Sequence, residues 1–165
     1  MVIKMKIKNL KTKQLVKIAI SIALYIVLTL ALAPIGYGPV QFRVSEVLNL
    51  LAFIDPLYIP AITIGCAISN FYSFGIIDVF VGSAGTLCAT YLIYKTKNIW
   101  VASIWPAVFT VFVAAEFYLL AIAPFWASTF SLAVSELVIV TAIGVPLFKM
   151  ILKNKKLVEL LKIKE

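Results

Sequence analysis

The sequence predicts an all-α integral membrane protein with six transmembrane helices and both termini in the cytoplasm. Three observations predict it. The 165 residues are 63% hydrophobic and 13% charged, whereas a soluble domain averages about 45–50% apolar and about 25% charged. The basic residues, Arg43 apart, fall into three groups separated by apolar chain. Turn-forming residues cut that apolar chain into pieces whose number agrees with the groups. At roughly 20 residues per span, the length holds five or six crossings and leaves little for a soluble domain. Residues 1–165 therefore read as one membrane-embedded domain.

The charge groups fix the parity of crossings. Six lysines, Lys4 to Lys17, precede or open the first apolar run; six more, Lys149 to Lys164, close or follow the last; Lys95 and Lys97 share a short loop. Cytoplasmic loops carry an excess of Lys and Arg, so both ends and that loop are expected inside, with an even number of crossings in each interval. The net charge of +8 is then a topology signal. A nucleic-acid partner would need a soluble basic surface, and none is expected.

The first span is expected over 15–33. Its lysines, its apolar run and "ALAP" at Ala31–Pro34 look like a signal peptide. A proline directly after the last alanine hinders cleavage, however, and the run is long enough to cross. Within it, Ala19 and Ala23 stand at i and i+4, where small residues let another helix approach closely, inside the protein or on a partner. "PIGYGP" (34–39) breaks the chain. A short helix is expected over 43–54, ended by "DP" at Asp55 and Pro56, and another over 57–72, ended by "SFG" (73–75). The fourth runs over 76–94. Beyond the Lys95 loop, spans are expected over 99–123 and 126–148, parted at "APFW".

This topology puts the loops at 34–42, near 73–75 and near 121–126 outside. Arg43, Glu46, Asn70, Asp78, Glu116 and Glu136 then share the outer half, with Asp55 at an inner turn as the exception. An ionised side chain at mid-membrane costs about 2.5–3.5 kcal/mol on insertion scales. Several at one level point to a shared polar cavity open to the outside. Arg43 and Glu46 lie three residues apart and Asn49 extends the line by three more. They form an intrahelical ion pair, a ligand clamp, or both, since a carboxylate accepts two parallel N–H bonds and a guanidinium donates to a carbonyl. The aromatics beside Asn70 and Asp78 serve as an interfacial belt or as a stacking wall for a flat ring. "AIAPFWASTF" adds an aromatic cap, Trp126 included, over Glu136. "GSAGT" (82–86) lies within a span and suits close helix packing better than a phosphate cradle. Glu116 and Glu136 could carry protons or bind ligand.

Other chemistries are disfavoured. There is no histidine, so the commonest metal ligand and general base is missing. Cys66 and Cys88 lie far apart in apolar runs without CxxC spacing, as buried free thiols do. No P-loop motif occurs, so the chain is not expected to hydrolyse ATP.

"FRVSEVLNLL", the following "IDP", "GCAISN", "GIIDVFVGSAGTL" and "SELVIVTAIGVPL", in this order over about residues 15–150, resemble the QueT-type substrate-binding subunits (S components) of energy-coupling factor transporters. The resemblance implies a six-helix membrane fold with its site toward the exterior. It implies uptake of a queuosine precursor, a 7-deazaguanine base such as its aminomethyl form. It implies as partners a transmembrane coupling subunit and two cytosolic ATPases, with Ala19 and Ala23 matching the family's docking motif. No cofactor is implied. The resemblance assigns no ligand contact residue by residue, so roles rest on chemistry. Carboxylates suit the donor edge of the ring and a cationic aminomethyl group, Arg43 or Asn70 the carbonyl, and aromatics the faces. Glu46 and Glu136 lead, followed by Asp78 and Glu116. The competing expectations are a stand-alone proton-coupled carrier, an S component for another vitamin, a membrane enzyme and a purely structural subunit.

Overall fold

The computed structural model describes residues 11–37, 40–73 and 75–163. Lys4, Lys6, Lys8 and Lys164 of the terminal basic groups lie outside the described residues, as do Gly38, Pro39 and Phe74 of two predicted breaks. Among the described residues there is no strand. The elements are α1 (Thr12–Ala31), α2 (Ala33–Gly36), a 3₁₀ helix (Val44–Phe53), α3 (Tyr58–Asn70), α4 (Ile76–Lys95), α5 (Ile99–Ala102), α6 (Trp105–Leu119), α7 (Phe125–Glu136), a π-helical segment (Leu137–Gly144), α8 (Val145–Lys153) and α9 (Lys155–Leu161).

Four stretches are long and apolar enough to cross a membrane: Thr12–Ala31, Ile76–Lys95, Ile99–Leu119 and Phe125–Lys153. The 3₁₀ helix and α3 are apolar but shorter. Ten residues at the 3₁₀ rise cover about 20 Å, against a hydrocarbon core of about 30 Å. These two form an antiparallel pair. Arg43 at the start of the first bonds Asn70 at the end of the second, and Asp55 makes the turn between them, its Oδ1 accepting the Leu57 N–H at 2.9 Å.

Helix breaks follow proline chemistry. Pro106 sits in the first turn of α6 and Pro146 in that of α8, where a missing N–H costs least. Each is preceded by a departure from α geometry: Ser103 and Ile104 between α5 and α6, and the π-helical segment before α8. The fifth predicted span accordingly splits in two and ends at Leu119 instead of 123, through a turn at Ala121 with φ of 54°. The sixth runs past 148 to Lys153.

α1 is polar inward and apolar outward, the arrangement lipid favours. Ser21, Tyr25 and Thr29 form its buried stripe, while Leu15, Ile20 and Val27 are exposed. Gly65 allows the close approach of α3, since a Cβ there would meet Tyr25 Cβ at 3.0 Å. The main apolar core joins Tyr25, Leu50, Ile62, Val140, Phe148 and Ile163. The carboxy-terminal tail closes it: Ile163 is 1% exposed, its N–H donates to Asp55 Oδ2 at 3.0 Å, and its carbonyl accepts from Gln14 Nε2 at 2.8 Å. Lys17 Nζ reaches the Lys162 carbonyl at 2.7 Å and the Tyr58 hydroxyl that of Leu161. Lys149 Nζ stands 4.7 Å over the Trp100 ring, just past the Lys95–Lys97 loop. Both described chain ends and that loop thus gather at the Asp55 end of the bundle, away from Arg43.

Candidate functional site

The 3₁₀ helix decides how the site is built. With three residues per turn, positions i and i+3 eclipse, so Arg43, Glu46 and Asn49 line one edge. In an α-helix each third residue would swing away by about 60°. Arg43 opens the helix as its N-cap. Its guanidinium gathers three elements: Nη1 donates to Asn70 Oδ1 at 2.8 Å, Nε to the Gly36 carbonyl at 3.2 Å, and Nη2 faces Asp78 Oδ2 at 3.8 Å. It also stacks against Tyr37, 5.2 Å from the ring centre. Asn70 in turn donates to the Asp78 carbonyl at 3.2 Å.

Gly82 makes this cluster possible. A Cβ at that position would stand 2.1 Å from Asn70 Nδ2 and 3.1 Å from Asp78 Oδ1. Glu46 is held separately. The Tyr25 hydroxyl donates to its Oε1 and Asn49 Nδ2 to its Oε2. Cys66, 1% exposed, accepts from Thr86 at 3.2 Å. Cys88, expected to be buried, is only half so.

Between the 3₁₀ helix, α4, α6 and the α7 end lies a half-open cavity in which about 50 Å³ admits the centre of a water molecule. Its polar lining is Gln41, Arg43, Glu46, Asn49, Thr86, Thr110 and Glu136; Phe109, Val113, Leu132 and Pro106 supply apolar wall. Gly82 and Gly85 of the small-residue patch border it, and Gly85 lets α6 pass close, with Phe109 O at 3.4 Å from a Cβ built there. The patch therefore serves both packing and cavity. Glu136 has Glu46 and Arg43 as its electrostatic neighbours.

Of the residues singled out from sequence, Arg43, Glu46 and Glu136 share the cavity wall. Asn70 and Asp78 stand behind Arg43, both 0% exposed. Glu116 is buried beside Asp78 but borders an apolar groove with Ile77, Phe80 and Leu119 instead of the cavity. Trp126 is 78% exposed and packs edge-on to Phe125, away from the cavity. The aromatics Phe71 and Tyr72 are exposed too; the aromatic on the cavity wall is Phe109. Ala19 and Ala23 lie on the exposed face of α1. Sequence reasoning passed over Gln41, although a lone polar residue in "PVQFR" is itself a signal, and over the tail contact of Asp55.

These features define a multi-pass, all-helical membrane protein with a charged, half-open cavity. The QueT transporter family profile matches residues 15–153, and the chain belongs to that family. It is 56% identical over 82 residues to the "Queuosine precursor transporter QueT" of Lactococcus lactis subsp. cremoris (strain MG1363), a match covering 48% of this chain and 48% of the relative. The matched stretch spans about half the length of that curated relative. No solved structure matches the chain significantly.

Proposed function

We propose that the chain is the substrate-binding membrane subunit, or S component, of an energy-coupling factor importer for a queuosine precursor, a 7-deazaguanine base. The observation that carries this reading is the cavity, where Glu46 and Glu136 face one arginine, Arg43. A cationic aminomethyl group beside the two carboxyls would favour their ionised form and be offset by it. Arg43 would hold the ring carbonyl, with Asn70 and Asp78 fixing the guanidinium. The apolar wall of Phe109, Val113 and Leu132 suits the faces of a flat bicycle. The L. lactis relative bears the name of a queuosine precursor transporter, which supports the same substrate class.

The membrane arrangement follows the charges. The 3₁₀ helix and α3 cross as a shortened pair, bringing the number of spans to six. Both ends and the Lys95 loop face the cytoplasm, so the cavity opens outward. As one membrane domain without a P-loop, the chain relies on a coupling subunit and two cytosolic ATPases, with Ala19 and Ala23 on the lipid-facing side of α1 as the docking surface. A bulky residue at either alanine should abolish co-purification with the coupling subunit and leave ligand binding intact.

Reconstitution tests the proposal. The chain with its ATPase module should import 7-aminomethyl-7-deazaguanine into liposomes in an ATP-dependent manner, and the lone chain should not. Uptake by the lone chain, driven by a pH gradient and indifferent to ATP, would replace this reading with a proton-coupled carrier. Titration with riboflavin and guanine beside the deazapurines distinguishes an S component for another vitamin.

A further inference from the structure

The cavity wall contains buried polar atoms with no hydrogen-bond partner: Asn49 Oδ1 and Glu136 Oε2 on one side and Gln41 Nε2, which donates, on the other, beside Arg43, whose Nη2 faces Asp78. Asn49 is 0% exposed, Gln41 7% and Arg43 6%. Buried polar groups in native proteins are overwhelmingly paired, so a set left open around one cavity describes the ligand that pairs it. Two acceptors and adjacent donors are the complement of a lactam–amidine edge, which offers two N–H groups beside a carbonyl.

The orientation of Asn49 has a cause. An ionised carboxylate only accepts, so Glu46 captures the amide nitrogen and turns Oδ1 away from itself. Tyr25, donating to the other Glu46 oxygen, holds the carboxylate in place. We propose that Asn49 reads an N–H of the ligand's amidine edge through Oδ1, and that Glu46 is the positioning residue that decides which atom of this amide the ligand meets. Gln41 Nε2 joins Arg43 on the carbonyl side. This rests on the deazaguanine reading above and adds the residue that confers selectivity on it.

The discriminating ligands are 7-deazaguanine and 7-deazaadenine, whose edges differ in the atoms Asn49 would read. Titration of the detergent-purified wild type should favour 7-deazaguanine by about tenfold or more, because an unpaired buried polar group penalises the wrong edge. In Asn49→Leu the preference should shrink by about tenfold, through loss of 7-deazaguanine affinity. In Glu46→Gln the neutral amide can donate to Asn49, which frees the Asn49 amide to turn its nitrogen to the cavity, and the preference should shrink likewise. Monodisperse elution and an intact melting transition establish folding, and Glu46→Gln serves if Asn49→Leu fails to fold. An unchanged preference in a folded variant, or no preference in the wild type, overturns the role of Asn49 alone. A wild type that binds no deazapurine overturns the ligand class and this proposal with it.

Discussion

The two ends of the bundle treat buried polarity in opposite ways. At one end Asp55, 2% exposed, gives each carboxylate oxygen a backbone N–H, that of Leu57 and that of Ile163. Tyr58, Gln14 and Lys17 bond carbonyls of the same tail. At the other end Gln41, Asn49 and Glu136 each keep a buried atom without a hydrogen-bond partner. An unmet buried group costs about 1–3 kcal/mol. A chain that can satisfy a carboxylate so fully at one end has the means to do so at the other. In the proposed reading, one end is a fastening and the other a site whose remaining partners are supplied by the ligand.

Variants can break this contrast. Arg43→Ala should have the largest effect, since it breaks the contacts with Asn70, Gly36 and Asp78 at once. Removing one partner of a buried ion pair costs about 3–5 kcal/mol, and both the thermal transition and ligand affinity should fall. Gly82→Ala follows. Its methyl group would displace Asn70 and loosen the guanidinium, lowering affinity by about tenfold with a stability loss of about 1–3 kcal/mol. Asp55→Ala should show the opposite signature, a stability loss of about 1–3 kcal/mol for each of two orphaned backbone donors with affinity unchanged. Equal affinity losses in Asp55→Ala and Gly82→Ala would erase the distinction between the ends. Trp126→Ala, at a side chain 78% exposed, should stay within about 0.5 kcal/mol of the parent and bind as the parent does.

The contrast also separates what the sequence disclosed from what it hid. Long apolar runs between lysine groups gave the four long helices, because lipid imposes length and composition directly. The spacing of Arg43, Glu46 and Asn49 suggested one face, although the expected α-helix would have spread them, and the 3₁₀ geometry is what brings them into line. No local pattern announced that geometry or the π-helical segment after Glu136; both arise where two irregular helices pack, with Gly144 against Leu50 and Val47. Depth alone could not separate Glu136, on the cavity wall, from Glu116, beside an apolar groove. That choice depends on rotation about the helix axis. The tail contact to Asp55 spans 108 positions, beyond any periodicity.

Among the cavity acids, Glu136 keeps an oxygen without a partner, and an amide replaces its carboxyl without altering shape. Isothermal titration of the purified chain and of Glu136→Gln with 7-aminomethyl-7-deazaguanine is therefore the most direct measurement. The wild type should bind one equivalent saturably, and the variant should bind about ten- to hundredfold more weakly, as expected when a charge-assisted hydrogen bond is lost. Wild-type affinity in Glu136→Gln, or no binding by the parent chain, would contradict the account.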